Sequence, residues 1–318
     1  MIVIIRALSW LSARLPYAGA QGVGRALGWF LGSVLRFRRG EVRAVLQRCF
    51  PKKSPADVLV ITDGMYRHLG TLLVEGLRTG HMDMAALEKE VDFSGFEKGM
   101  QILSRGRGLI VLTAHVGNFE LLAMMAALKG APLTVITKAL KPKWLNDWWI
   151  ETRGKFGVRM LPARDSYRYC REALKANRIL GFILDQNMKR NRGVFVDYFG
   201  RPACTSPGLA LLSAQTGAPV LPVFMLREPD GRHRVCVFDP LPPPERADKE
   251  TIRQATQAYT TIIERFVREH PEQWIWLHRR WRTQPLEEAK AGADDGRQTT
   301  DDGLPEGGQR AAKQRSNI

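Results

Sequence analysis

The sequence predicts an α/β fold: a twisted, mainly parallel mixed sheet flanked by helices, with membrane-associated helices at the N-terminus. Three observations carry this. From about residue 100, continuous apolar runs such as "GLIVLTAH" alternate with helical stretches of about 10–15 residues, as strands buried on both faces require. The rhythm breaks at "PVLPVFMLREPDGRHRVCVFDPL", where Asp230-Gly231 between two apolar runs marks a hairpin and so an antiparallel edge. The first forty residues are at once the most apolar and strongly basic, with six arginines and no acid before Glu41.

Taken in order, the N-terminal stretch predicts two helices, about 2–15 and 20–37, separated by the region from Pro16 to Gly24. Arg6, Arg14, Arg25 and Arg36 interrupt every apolar run, whereas a spanning helix needs roughly 20 mostly apolar residues. Arg14 within the apolar stretch argues against a signal peptide. The pair is therefore expected to lie in a membrane interface on the cytoplasmic side, with Arg36, Arg38 and Arg39 at the headgroups. The competing expectation is an ordinary core helix pair with arginines at its rim. Ser54-Pro55-Ala56-Asp57 opens a helix over 54–80 with a capping box.

Strand "GLIVLTAH" then precedes helix "NFELLAMMAALKG", and "PLTVITKAL" precedes "PKWLNDWWIETRGKFG". "VRMLPA" precedes "SYRYCREALKANR", and "ILGFILDQN" leads through a loop to "SPGLALLSAQTG". A helix over about 248–269 follows the hairpin, and "QWIWLHRRW" closes the core. The expected division is a membrane-associated segment 1–40, a catalytic domain 41–283 and a disordered polar tail 284–318.

The net charge of +16 over 318 residues calls for an anionic partner. Basic residues coinciding with apolar ones favour a membrane surface over nucleic acid, and no nucleic-acid fold signature is present. The four cysteines form no CxxC pair, which points away from zinc and disulfides and towards a reducing compartment. No metal or cofactor is expected.

The chemistry is expected where "LTAHVGNFELL" turns from strand to helix. Ligand sites in open α/β sheets gather at the carboxyl ends of strands. His115 ends such a strand and Glu120 lies in the first turn of the helix, close enough to fix the imidazole tautomer and raise its basicity. Gly117 permits a tight turn, and Asn118 fits both an N-cap and a substrate contact. Three further positions are expected to bind substrate. Arg164 after "VRMLPA" can grip a phosphate or headgroup, or remain solvated while Asp165 caps the next helix. Asp185 in "DQN" ends another strand as a site wall or a structural knot. Arg192, with Lys189, Arg190 and Arg201, sits in a basic loop suited to an acidic carrier or sugar phosphates. His278 and the other histidines are expected to be structural.

"HVGNFE" resembles the H-x4-D/E motif of glycerolipid acyltransferases. With "CFP" at 49–51, "DQN" at 185–187, the 195–224 segment and "PEQWIWLHRRWRT" at 271–283, the chain is similar to the lipid A biosynthesis acyltransferase family. Asp197 departs from it, standing where similar proteins often have proline. The resemblance implies an enzyme at the cytoplasmic face of a bacterial inner membrane, and a monomer is expected. It implies transfer of a fatty acyl group from acyl carrier protein, or coenzyme A, to a hydroxyl of a lipid acceptor such as Kdo2-lipid IV(A). His115 would be the general base and Glu120 its partner. Other acceptors within the same chemistry are a lysophospholipid, an ornithine lipid or a glycolipid; a non-enzymatic anionic-lipid or nucleic-acid binding module is the remaining rival.

Overall fold

A computed structural model describes residues 1–81, 84–163 and 166–286. The chain starts with α1 (Ile2–Arg14) and α2 (Tyr17–Trp29), which runs into a π-helical turn over Phe30–Val34. Then come α3 (Arg39–Cys49) and the long α4 (Pro55–Arg78). The capping box is present: the Ser54 hydroxyl accepts from the Asp57 amide, and the Asp57 carboxylate accepts from the Ser54 amide.

Helices α2 and α4 approach at backbone contact. A β-carbon on Gly28 would lie 2.0 Å from the Tyr66 carbonyl oxygen, and one on Gly70 2.2 Å from that of Gly24. The Arg78 guanidinium donates to the Ser12 and Leu15 carbonyls, tying α1 to the same helix. Arg38 and Arg39 of the expected headgroup cluster pair instead with Glu41 and Asp63. The N-terminal pair is thus docked onto the domain, yet it also leaves Val3, Ile4, Leu8, Leu11, Trp29 and Phe37 exposed. Among the described residues, no helix is long and apolar enough to cross a membrane.

The α/β body follows as α5 (Met84–Lys89), β1 (Val91–Asp92), α6 (Phe96–Leu103), β2 (Leu109–Thr113), α7 (Phe119–Leu128) and β3 (Leu133–Thr137). It continues through α8 (Lys143–Lys155), β4 (Arg159–Pro162), α9 (Ser166–Lys175) and β5 (Ile179–Ile183). A small hairpin, β6 (Val194–Asp197) and β7 (Pro202–Thr205), precedes α10 (Gly208–Thr216), β8 (Val220–Arg227), β9 (His233–Val237) and α11 (Lys249–Glu269). The main sheet has the order β1-β9-β8-β2-β5-β3-β4. β8, β2, β5, β3 and β4 run parallel, while β9 returns antiparallel beside β8 through the expected hairpin.

Alternate residues of each central strand feed two cores. Ile110, Leu112, Leu180 and Phe224 pack with α9, α10 and α11. Leu109, Val223, Met225 and Val235 pack with α6 and α7. The closing segment behaves as expected, with Trp274, Trp276, Arg280 and Trp281 buried.

The expected strands and helices between 109 and 269 are observed. The hairpin β6–β7, the short α3, α5 and α6, and the two-residue β1 were not anticipated. Asp197 has a visible use in the hairpin: its amide donates to Gln257 Oε1 at 2.6 Å, a bond proline cannot make, and its carboxylate accepts from the Gly200 amide at 3.0 Å. Of the tail predicted over 284–318, residues beyond Leu286 lie outside the described residues, as do Arg164 and Asp165.

Candidate active site

The pairing of β2 with β5 builds the site. Their register sets Thr113 opposite Ile183, so His115 and Asp185, each two residues further on, emerge side by side at the carboxyl edge. The Asp185 carboxylate is completely enclosed. One oxygen lies 2.8 Å from His115 Nδ1. The other accepts from the His115 amide at 2.8 Å and from Trp274 Nε1 at 2.7 Å. Burial opposes ionisation of Asp185, but the imidazole beside it and these N–H donors outweigh it and hold the carboxyl well below the usual carboxylate range. Burial likewise disfavours imidazolium at His115, but the Asp185 charge prevails and raises its pKa, with Glu120 adding to the rise.

This arrangement fixes the tautomer. Nδ1 carries the proton and donates it to Asp185, so Nε2 presents its lone pair. The Gln186 side-chain amide lies 3.2 Å from that nitrogen and donates to it. Phe119 packs edge-on against the ring at 4.8 Å, and His278 lies tilted against it at 4.6 Å between centroids. Burial, followed by the neighbouring His115, lowers the His278 pKa and keeps this second ring neutral.

Glu120 occupies the expected first turn of α7 but does not bond the imidazole. Arg153 from α8 holds it as a fork, Nε to Oε2 at 3.0 Å and Nη2 to Oε1 at 2.6 Å. Arg153 also donates to Thr137 Oγ1 at 3.2 Å and lies over the Trp149 ring. The direct partner expected at Glu120 is therefore Asp185, because the strand register brings a carboxylate to Nδ1 while the start of α7 faces Glu120 towards α8. His115, Glu120 and Arg153 all border one cavity.

Asn118 is the N-cap of α7, accepting from the Leu121 amide at 2.9 Å, and its Nδ2 donates to Glu75 at 2.8 Å. Both ends of its buried side chain face inward, so it shapes the site rather than reaching a substrate. Gly117 has φ +55° and sits so close to β8 that a β-carbon would fall 1.5 Å from the Met225 carbonyl oxygen. Its amide donates to the Gln273 carbonyl at 2.9 Å and its carbonyl accepts from His68 Nε2 at 3.3 Å. Burial drives the His68 pKa down to about 3, so that ring is neutral.

Glu75 is a second buried hub. It accepts from Arg227 Nη2 at 2.6 Å, from Asn118, from His233 and from the Tyr17 hydroxyl of α2. Arg192 is exposed on the loop after the Asn187–Met188 rim and does not border the cavity. Among the described residues, no group of three or more His, Cys, Asp or Glu is placed to hold a metal.

The cavity holds about 600 Å³. It runs from His115, Gln186 and Thr113 at the sheet edge over the face formed by Val111, Val135, Gly181 and Val223, beneath α6 and α7. Its polar groups gather at the mouth and its depth is aliphatic and aromatic. Arg153 left no sequence signal of its own, whereas Gln186 stood in the polar "DQN" strand end without a role of its own. Asp185 left one, as a carboxylate ending an apolar strand, but its partner was hidden by a separation of 70 residues along the chain.

A base with a fixed tautomer at the mouth of an apolar chamber suits removal of a proton from a hydroxyl while an acyl chain lies alongside. Comparison with known proteins gives the family. The family model "Bacterial lipid A biosynthesis acyltransferase" matches residues 1–283. The lipid A biosynthesis palmitoleoyltransferase of Escherichia coli is 27% identical over 284 residues, covering 88% of this chain and 90% of that protein. The lipid A biosynthesis lauroyltransferase of Escherichia coli is 26% identical over 281 residues, covering 87% and 89%. The phosphatidylinositol mannoside acyltransferase of Mycolicibacterium smegmatis is 26% identical over 293 residues, covering 90% and 93%. The chain is an acyltransferase and belongs to the bacterial lipid A biosynthesis acyltransferase family.

Proposed function

We propose that the enzyme moves a fatty acyl group from an acyl carrier protein thioester, or a coenzyme A thioester, to a hydroxyl of a lipid A precursor such as Kdo2-lipid IV(A). The observation that carries this is the apolar chamber with the His115–Asp185 pair at its mouth. The acyl chain lies in the chamber with its thioester carbonyl at the sheet edge. The acceptor hydroxyl takes the place of the Gln186 amide on His115 Nε2 and gives up its proton there as its oxygen attacks the carbonyl carbon. Asp185 steadies the imidazolium that forms. The tetrahedral intermediate then collapses, the carbon–sulfur bond breaks, and the proton on His115 passes to the departing thiolate.

The oxyanion needs donors. The Gly117 amide and the Asn118 side chain are already engaged inside the protein. The N–H groups of Phe119 and Glu120, which open α7 and have no intrahelical acceptor, remain for this role. Arg153 and Glu120 border the same cavity as a fixed charge pair that orients the polar ends of both substrates. The exposed apolar face of α1 and α2 seats the enzyme on the cytoplasmic surface of the inner membrane, where the acceptor resides.

The test is transfer from radiolabelled acyl carrier protein thioesters to Kdo2-lipid IV(A). His115→Ala is expected to lower the rate about a thousandfold or more. Transfer surviving that substitution rejects the mechanism, and no transfer by the intact enzyme rejects this acceptor. The near-equal identity to a phosphatidylinositol mannoside acyltransferase supports a glycolipid acceptor as the second reading, tested in the same assay with mannosylated phosphatidylinositol.

A further inference from the structure

We infer that Gly181, in the middle of β5, sets how long an acyl chain the enzyme accepts; this rests on the acyl-transfer reading above. Gly181 pairs with Val111 of β2 and Val135 of β3, and all three face the chamber. Their row lies two residues below Thr113 and Ile183, about 7 Å from the strand ends at the usual rise of a parallel strand. The chamber continues past it to Ile179, Leu133 and Ala131. A chain reaching that depth must cross the Gly181 row.

The backbone gives no reason for glycine here. Gly181 is extended and paired on both sides, and an added β-carbon would meet Val135 Cγ1 at 3.1 Å, Leu133 Cδ1 at 3.7 Å and, at the ordinary van der Waals distance of 3.8 Å, the Thr134 carbonyl oxygen of the neighbouring strand. Glycine inside a strand weakens it, and its usual justification is close approach of a ligand or another backbone. No backbone lies over this one. The facing wall of α7 is also small, presenting Ala123 and Ala126. Protein interiors are close-packed, so a largely apolar volume of about 600 Å³, with Gly181 on the sheet and Ala123 and Ala126 on α7 among its larger lining residues, is a space kept open for a flexible apolar guest. The even-numbered face of the same strands, at Ile110, Leu112 and Leu180, is filled with large aliphatic side chains.

A side chain at Gly181 projects across the passage and denies the lower chamber to the guest. Chains short enough to end above the row are unaffected, and longer ones lose the burial of their last methylenes. The full-length enzyme would be assayed with acyl carrier protein thioesters from octanoyl to stearoyl on one acceptor. Gly181→Val and the gentler Gly181→Ala would be compared with wild type. Ala126→Leu, which fills the same passage from the helix, guards against misfolding of the strand variants. The ratio of kcat/KM for octanoyl over palmitoyl is expected to rise about tenfold in Gly181→Val and in Ala126→Leu, and less in Gly181→Ala.

A profile that keeps its shape while every rate falls overturns the inference, because general damage to the strand has no chain-length dependence. Binding of free octanoate and palmitate by calorimetry provides a readout without turnover. If no thioester reacts but Gly181→Val selectively loses palmitate, the acyl-transfer reading fails and the inference stands. If palmitate affinity is unchanged, the inference fails.

Discussion

At the scale of single residues, the decisive feature is which nitrogen of His115 is free. Asp185 accepts the hydrogen bond from Nδ1–H, and the two N–H bonds on its other oxygen leave that carboxylate no freedom to turn. Asp185→Asn keeps the shape but removes the charge that raises the His115 pKa. As a base His115 works unprotonated, so the wild-type rate should rise with pH through a pKa above that of an ordinary histidine. In Asp185→Asn that acidic limb moves to lower pH, and the plateau rate drops about a thousandfold because the tautomer is no longer enforced. A pH–rate profile of both proteins checks this; an unmoved limb would show that Asp185 does not face the working imidazole. His115 was legible from sequence as a histidine ending an apolar strand. Asp185 was legible as a polar strand end, but not as its partner, because nothing in the chain announces that β2 and β5 are neighbours. Glu120 was assigned by closeness in sequence, and the fork from Arg153, thirty-three residues away, shows why closeness along the chain is a poor guide to which carboxylate reaches a ring nitrogen.

At the scale of elements, the seam between α2 and α4 holds the N-terminal helices in place. It works because glycines on both sides let the two backbones touch. Gly28→Leu puts a branched side chain where the Tyr66 carbonyl already lies and should cost at least about 1–3 kcal/mol. Thermal melting together with limited proteolysis between Arg14 and Arg25 tests this, and a variant as stable and resistant as wild type would refute the seam. Long buried strands and amphipathic helices were readable because burial on two faces or one writes a period into the sequence. The β6–β7 hairpin was not, since its strands are four residues long and its turn is made by Phe199 with φ +59°, a conformation no propensity assigns to phenylalanine. The N-terminal pair was half legible. Its apolar exposure was anticipated, but its small residues gave no hint that they grip another helix.

At the scale of the whole molecule, α1 exposes apolar side chains and the chain carries a net charge of +16. On the proposed reading, apolar side chains enter the interface while arginines answer anionic headgroups. Leu8→Asp with Leu11→Asp should reduce co-sedimentation with phosphatidylglycerol-containing vesicles by about tenfold or more and leave thermal stability nearly unchanged, since both side chains are about half exposed. Raising salt should weaken wild-type binding in the same assay. Binding that persists in the double variant would place the membrane contact elsewhere.

The Trp274 N–H that steadies Asp185 comes from near the end of the described residues, as does the Gln273 carbonyl that fastens Gly117. Order of synthesis therefore matters to chemistry. A ribosome delivers His115 and Asp185 long before the residues that hold them in register. A chain released early, or clipped ahead of Gln273, carries the reacting groups without the brace that aligns them. On the proposed mechanism such fragments are expected to be inert towards activated acyl groups, and only a chain read through to the tryptophans is expected to turn over a thioester.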